Sequence, residues 1–215
     1  MSYFLPDGAK LFISTTFSAA KTVSGITNAN PPLVTAVAHG WVDGNEVLIS
    51  SGWSDMTDTV FRIDQQSVDT FLALGFDTTN TTFFPAGSGT GTAKLISSWV
   101  QVPQLLDSQD TGGDAKEVVV SPMDQRNDIS LPAGFNASKQ TLEFGWDPSL
   151  IGQQTVLAAS QAQSPTAFKW VLPGNVTVYG FGRISANEKP TISKGKVMSL
   201  KASITSMGRT TYYVG

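Results

Sequence analysis

The sequence predicts a mainly β protein: an antiparallel β-sandwich or barrel core with one short α-helix at about residues 148–162, plus an inserted small β-subdomain. Three observations lead there. Apolar and polar residues alternate in three separate runs between residues 168 and 205, the period of a strand with one covered face. Turn signals such as Asp43-Gly44-Asn45 and Pro173-Gly174-Asn175 separate the short apolar runs. Only residues 148–162 combine a helix-start signal with a helical stripe: Asp147 suits the N-cap, and Pro148 suits the first helical position.

Taken in order, residues 1–22 contain one strand candidate, "AKLFISTTF". Residues 23–101 read as short strands between His-Gly, Asp-Gly-Asn and Ser-Gly-Trp-Ser turns, closing on the Gly-rich "PAGSGTGTAK" and a further strand. This segment holds seven acids against two bases, a net charge of −5, which leaves +2 for the rest of the chain. Such a shift predicts a discontinuous core, residues 1–22 and 102–215, and an inserted module, residues 23–101.

Residues 102–136 read as a long loop, rich in Asp, Gly, Asn and Pro, with one strand at 117–121. A loop of that length in a compact domain is functional or disordered. Residues 141–146 form a strand, and Leu150, Ile151, Leu157 and Ala158 give the helix its apolar stripe. In the strands that follow, Phe168, Trp170 and Leu172 share one face. Val176 and Val178 oppose Thr177, Tyr179 and Phe181, and Met198, Leu200, Ala202 and Ile204 oppose Ser199, Lys201, Ser203 and Thr205. The expectation is a sheet with one buried and one solvated face.

Composition narrows the function. Of the 215 residues only 14% are charged, well under the roughly 25% usual for soluble domains, which suits a surface largely occupied by neighbours. A net charge of −3 argues against a dedicated nucleic-acid binder or a polybasic membrane anchor. With no cysteine, disulfides and Cys-ligated metals are excluded. Neither a secretory leader nor a membrane-spanning run is read from the sequence, so the chain is expected to be made in the cytosol.

No motif carries chemistry, so the expectation is a protein without catalytic residues, metal or cofactor. The lone His39, beside a glycine, reads as a turn residue rather than a general base. The segment 87–94 lacks the Gly-Lys-Ser/Thr ending of a phosphate loop and runs into a strand. Asp107, Asp110 and Asp114 do not match a calcium loop and read as solvated loop charges. Trp146 and Trp170 read as core. Trp41, Trp53 and Trp99 stay unassigned, which keeps open an alternative: a carbohydrate- or cell-surface-binding module on a β scaffold.

Residues 141–209 resemble the conserved core of the major tail tube proteins of long, flexible-tailed, lambda-like bacteriophages. The shared order is a strand, a Gly152-Gln153-Gln154 helix, a strand ending in Pro173-Gly174-Asn175, a strand running into Gly182-Arg183-Ile184-Ser185, a Lys-rich turn, and a long alternating strand ending at Gly208-Arg209. Residues 31–50, with their Thr-x-x-x-His-Gly run, are similar to a small β-module of ubiquitin-activating enzymes that also occurs in phage structural proteins, where it implies an outward-facing decoration.

The resemblance implies a virion structural protein of the phage tail, assembled in the host cytoplasm. Its subunits would form rings of six that stack into a hollow tube conducting DNA. The implied partners are further copies of itself, a tape measure protein, tail terminator and distal tail proteins, and double-stranded DNA passing without sequence-specific contacts; no membrane is implied. On this reading Asp107, Asp110, Asp114, Glu117, Asp124 and Arg126 are candidates for contacts between rings or subunits. Ser199, Lys201, Ser203 and Thr205 are candidates for the channel lining, with an acid of an adjacent subunit to balance Lys201. An acidic or neutral lining would let DNA slide, because few phosphates would be neutralised.

Overall fold

The computed structural model describes residues 5–215; residues 1–4 of the predicted core segment lie outside the described residues. The first half of the chain forms β1 (Lys10–Phe17), β2 (Lys21–Val23), β3 (Gly25–Ile26), β4 (Leu33–Thr35), β5 (Glu46–Ser51), β6 (Thr59–Gln65), β7 (Thr70–Ala73) and β8 (Gly91–Val102). There follow β9 (Leu105–Thr111), β10 (Ala115–Val120), β11 (Ile129–Phe135), β12 (Lys139–Gly145), α1 (Ile151–Ala162), β13 (Pro165–Leu172), β14 (Val176–Ala186), β15 (Ser199–Ser206) and β16 (Thr211–Val214). The fold is thus mainly β, antiparallel, with a single helix among the described residues, as predicted. Hydrogen bonds run in the order β3-β4-β7-β6-β5-β8-β1-β13-β14-β15-β12-β9, with β2 on β8, β16 on β14, and β10–β11 as a separate pair.

The long strand β8 carries the ladder from one half to the other. Its first residues pair with β5, from Ser51↔Gly91 to Val47↔Leu95. Its later residues pair with β1, from Phe17↔Ile96 to Leu11↔Val102. One apolar cluster, including Val34, Trp41, Trp53, Phe61 and Phe71, lies within the residues expected to form the inserted module, called the module below. A second, including Leu11, Phe144, Phe168, Trp170, Leu200 and Ile204, fills the curved sheet under α1.

A third cluster lies between the two halves and corrects the expectation that the second face of β14 meets water. Tyr179 and Phe181 on that face pack with Leu48, Val60 and Ile96 of the module side. Burying each aromatic ring contributes roughly 2–3 kcal/mol. Gly180 makes room within the sheet: a Cβ there would collide with the Phe168 ring. Above this cluster the Lys169 ammonium sits 2.9 and 3.1 Å from the two Glu46 carboxylate oxygens and 4.6 Å over the Trp99 ring. Tyr179 donates its hydroxyl to Glu46. Burial first, then the hydrogen bond and charge of Glu46, push the Tyr179 hydroxyl well above its ordinary value, so it stays a neutral donor. The Tyr213 hydroxyl on β16 accepts from the Arg62 backbone N–H at 3.0 Å and donates to the Leu74 carbonyl at 2.8 Å.

Two local expectations are corrected. The helix starts at Ile151, not Pro148, with Leu150 at its N-cap and no side-chain capping bond. Asp147 instead closes a turn, its Oδ1 accepting from the Ser149 N–H at 3.0 Å and the Ser149 hydroxyl at 2.6 Å. The buried face of α1 is Gly152, Gln153 and Val156, while Ile151 points to solvent. Gly152 lets the helix backbone approach β8, because a Cβ there would strike the Gln101 carbonyl. Gln153 ties the junction, donating to the Gly145 carbonyl at 2.6 Å and accepting from the Asp147 N–H at 2.9 Å. Of the predicted stripe Leu157 packs against the core beside Val156 and Ala159, and close backbone contact and a buried amide complete the face.

The Lys169–Glu46 pair is 17% and 15% exposed on its side chains, so removing one partner leaves a largely desolvated charge. Lys169→Met is expected to lower unfolding free energy by about 3 kcal/mol in urea titration; a change within about 0.5 kcal/mol, the range of neutral surface substitutions, would show that the pair holds nothing together.

Candidate assembly interface

The segment predicted as a long loop with one strand at 117–121, residues 102–136, holds three strands: β10 covers the predicted strand, while β9 and β11 are the largest correction to the expectation. β9 pairs with β12 from Lys139↔Thr111 to Phe144↔Leu105 and ends the sheet on that side. β10 and β11 then form a two-stranded hairpin that pairs with no other strand. The Asp-, Gly- and Pro-rich composition misled because the strands are solvated on both sides: every residue of β10 and β11 is exposed.

The hairpin has a definite apolar face. The register Val118↔Leu131 and Val120↔Ile129 puts those four side chains on one side, each 40–50% exposed. Glu117, Val119, Ser130 and Pro132 take the other, where the Ser130 hydroxyl donates to Glu117 at 2.6 Å. At its root Gly112 and Gly113 have φ of +81° and +77°, conformations that favour glycine. A Cβ on Gly112 would also collide with the Ala137 carbonyl. A hairpin in isolation is at best marginally stable in water, and an exposed apolar face of this kind is a candidate interaction site.

The six predicted contact residues lie along this ribbon rather than in one cluster. Asp107 is on β9, its carboxylate accepting from the Ser108 N–H at 2.8 Å and the Gln109 amide at 2.9 Å. Asp110, further along β9, lines a groove of about 640 Å³ with Leu105, Trp170, Leu172 and Val178. Asp114 stands at the root, its carbonyl accepting from the Asn136 N–H at 2.9 Å. Glu117 is on β10, and Asp124 and Arg126 occupy the exposed tip between β10 and β11. Among the described residues no group of His, Asp or Glu is arranged to hold a metal ion.

The four predicted lining residues share one face of β15, but differently covered. Ser199 is buried and donates to Glu143 at 2.6 Å. Lys201 and Thr205 are exposed and Ser203 is intermediate. Lys201 lies 3.7 Å from Glu143 on the neighbouring strand of its own chain, so the balancing acid is within the subunit. Cross-strand register adds residues that the sequence reading missed. Lys139 and Arg183 both flank Thr205, and Asp107 flanks Glu143, giving this face three bases and two acids. Alternation within residues 139–145 and 176–186 already put Lys139 beside Thr141 and Glu143, and Arg183 beyond Tyr179 and Phe181; what one sequence does not give is the pairing register.

The aromatic residues left unassigned are structural. Trp41 and Trp53 are buried in the module and unavailable to stack on a sugar, and Trp99 lies beneath Lys169. His39 is buried; its Nδ1 accepts from the Trp41 N–H at 3.0 Å, and its Nε2 sits 3.1 Å from the Ser67 carbonyl. With Nδ1 accepting, Nε2 carries the proton and donates, so both ring nitrogens serve the turn.

These features describe a mainly β protein: a continuous sheet that ends on β9, and a hairpin that pairs with no other strand among the described residues. The phage tail tube protein (TTP) family matches residues 51–215, and the chain belongs to that family. It is a virion structural protein of phage tails, and membership points to a structural rather than catalytic role. No curated protein matches the chain. Among solved structures, a native gene transfer agent virion is 12% identical with a TM-score of 0.43, covering 54% of this chain and 89% of that one. The SPP1 tail tube is 14% identical with a TM-score of 0.44, covering 55% and 71%. The tube-terminating cap of an anti-feeding prophage is 15% identical with a TM-score of 0.38, covering 54% and 83%.

In the free subunit, amide exchange of β10 and β11 is expected to approach that of an unfolded peptide, while β12 and β15 exchange only through global opening. Val118→Asp is expected to change monomer stability by no more than about 0.5 kcal/mol; a larger loss in the same urea titration would mean that the hairpin face is already covered within the subunit.

Proposed function

We propose that this chain is the major tube subunit of a long, flexible phage tail, forming closed rings of six that stack into a hollow, DNA-conducting tube. One observation carries the reading: a solvated two-stranded hairpin with an apolar face grows from an open sheet edge, in a chain of the tail tube family. Unpaired edges invite further strands, and in a closed ring every edge meets a copy of its own complement. Assembly takes place in the host cytoplasm, with a tape measure protein inside, a terminator at one end and a distal tail protein at the other.

In this reading the polar face around Lys201 lines the channel. Its bases are offset by Glu143 and Asp107, with Lys201 already engaged by Glu143, so few cations are free to hold phosphates and counterion release stays small. The module is a decoration on the outside of the tube, held at a fixed angle by the Lys169–Glu46 pair and the Tyr179–Phe181 cluster.

Electron microscopy of the purified chain tests this. Wild type is expected to form hollow tubes with six-fold end views, and replacing residues 115–135 by a short Gly-Ser linker is expected to leave folded monomer only. Tubes of normal length from the deletion would remove the hairpin from the assembly. A small folded tag inserted after Asn80, in an exposed turn of the module, is expected to decorate the outer wall; density in the channel would reverse the module's orientation.

A further inference from the structure

The four-stranded segment β14-β15-β12-β9 has two unlike ends. At the Thr205, Lys139 and Thr111 end the chain leaves into the hairpin. At the Ser199 and Gly145 end it leaves into the segment 187–198, between β14 and β15. That segment is ordered by a bridge, the Thr191 N–H donating to the Ser199 carbonyl at 2.8 Å, and by a turn in which the Lys196 N–H donates to the Ser193 carbonyl at 3.2 Å. Residues 191–198 are all exposed. Ile192 and Val197 are 74% and 73% exposed.

Charge distinguishes the two ends. The segment 187–198 carries Lys189, Lys194 and Lys196 against Glu188, a net charge of +2. The hairpin with its root and tip, residues 112–138, carries Asp114, Glu117, Asp124 and Asp128 against Lys116 and Arg126, a net charge of −2. Each end therefore pairs an uncovered apolar surface with charges opposite to those of the other. The ends are separated by the length of β15, about 25 Å at roughly 3.3 Å per residue, so they do not meet within one subunit.

We propose that the lysine segment 187–198 is the docking site for the hairpin of a second copy, joining subunits head to tail along the strand direction. This rests on the stacked-ring reading and names the surface through which rings join. Val118, Val120, Ile129 and Leu131 cover Ile192, Val197 and Met198, while Lys194 and Lys196 face the acids of the hairpin tip. Because donor and acceptor surfaces differ, the contact is heterologous and propagates without closing. Its charges at the rim set encounter rate and salt dependence more than final strength.

Reversing the charges tests the assignment. The double variant Lys194→Glu, Lys196→Glu is expected to fold as wild type but to elongate at least about tenfold more slowly at low salt, because like charges then oppose each other. Adding Asp124→Lys and Asp128→Lys to the same chain is expected to restore elongation. Mixed into wild type, the loop-reversed subunit is expected to cap growing tubes, since its hairpin still docks while its own lysine segment no longer accepts. Wild-type elongation of the loop-reversed variant, or failure of the double reversal to rescue, overturns the proposal. If the loop-reversed variant assembles while deletion of residues 115–135 abolishes tubes, only the docking partner is wrong and the stacked-ring reading stands. If wild type forms no tubes at any salt concentration, that reading falls and this one with it.

Discussion

The architecture depends on one continuous ladder of hydrogen bonds through β8. Its residues bond to β5 at one end and β1 at the other, so the module and the curved sheet are successive parts of the same hydrogen-bonded surface. A β-ladder resists shear in its own plane, and the remaining freedom is rotation about the strand. The contacts off the plane suppress that rotation: the Lys169–Glu46 pair, the Tyr179 and Phe181 rings, and Tyr213 bonded to two backbone groups of the module. They lie on different elements. Together they act on one degree of freedom.

The same economy explains why so little of the surface is charged. The module keeps Trp41, Trp53 and His39 in its own interior, with Trp41, Phe71 and His39 packed tilted or edge-to-face within 5.5 Å of one another by ring centroids. Outside the module, most of the charged residues stand at places with a geometric role: the interface of the two halves, the open face around Lys201, and the two ends of the long strands. A sparsely charged surface suits a virion structural protein, and the charges it keeps act locally.

Much of the fold was legible in the sequence. Alternation in residues 168–172 and 197–205 gave β13 and β15 with their buried faces, because each has a clear apolar side whose period survives in isolation. β10 was legible as the strand predicted at 117–121, from its run of valines, but β9 and β11 were not. Their residues are solvated on both faces, and a strand without a buried side loses the alternation by which strands are recognised; Asp, Gly and Pro in the run then look like loop. The start of α1 was misplaced for a related reason. Asp147 and Pro148 resemble a helix start, but the chain uses Asp147 for a turn and brings the helix against β8 through Gly152, a backbone contact with no hydrophobic signature. The polar face was half legible: Lys201, Ser203 and Thr205 follow from alternation alone, whereas Lys139 and Arg183 join them only through register between strands far apart in the chain.

The two left-handed glycines where β9 gives way to β10 have a mechanical meaning. They turn the chain at one point while the ribbons on either side remain paired, and the backbone bonds across the root, from the Gly113 N–H to Asn136 and from the Asn136 N–H to Asp114, hold the second strand of the arm at that same point. The heading of the arm is therefore written into the backbone, since a side chain at Gly112 would meet the Ala137 carbonyl and push the two strands apart.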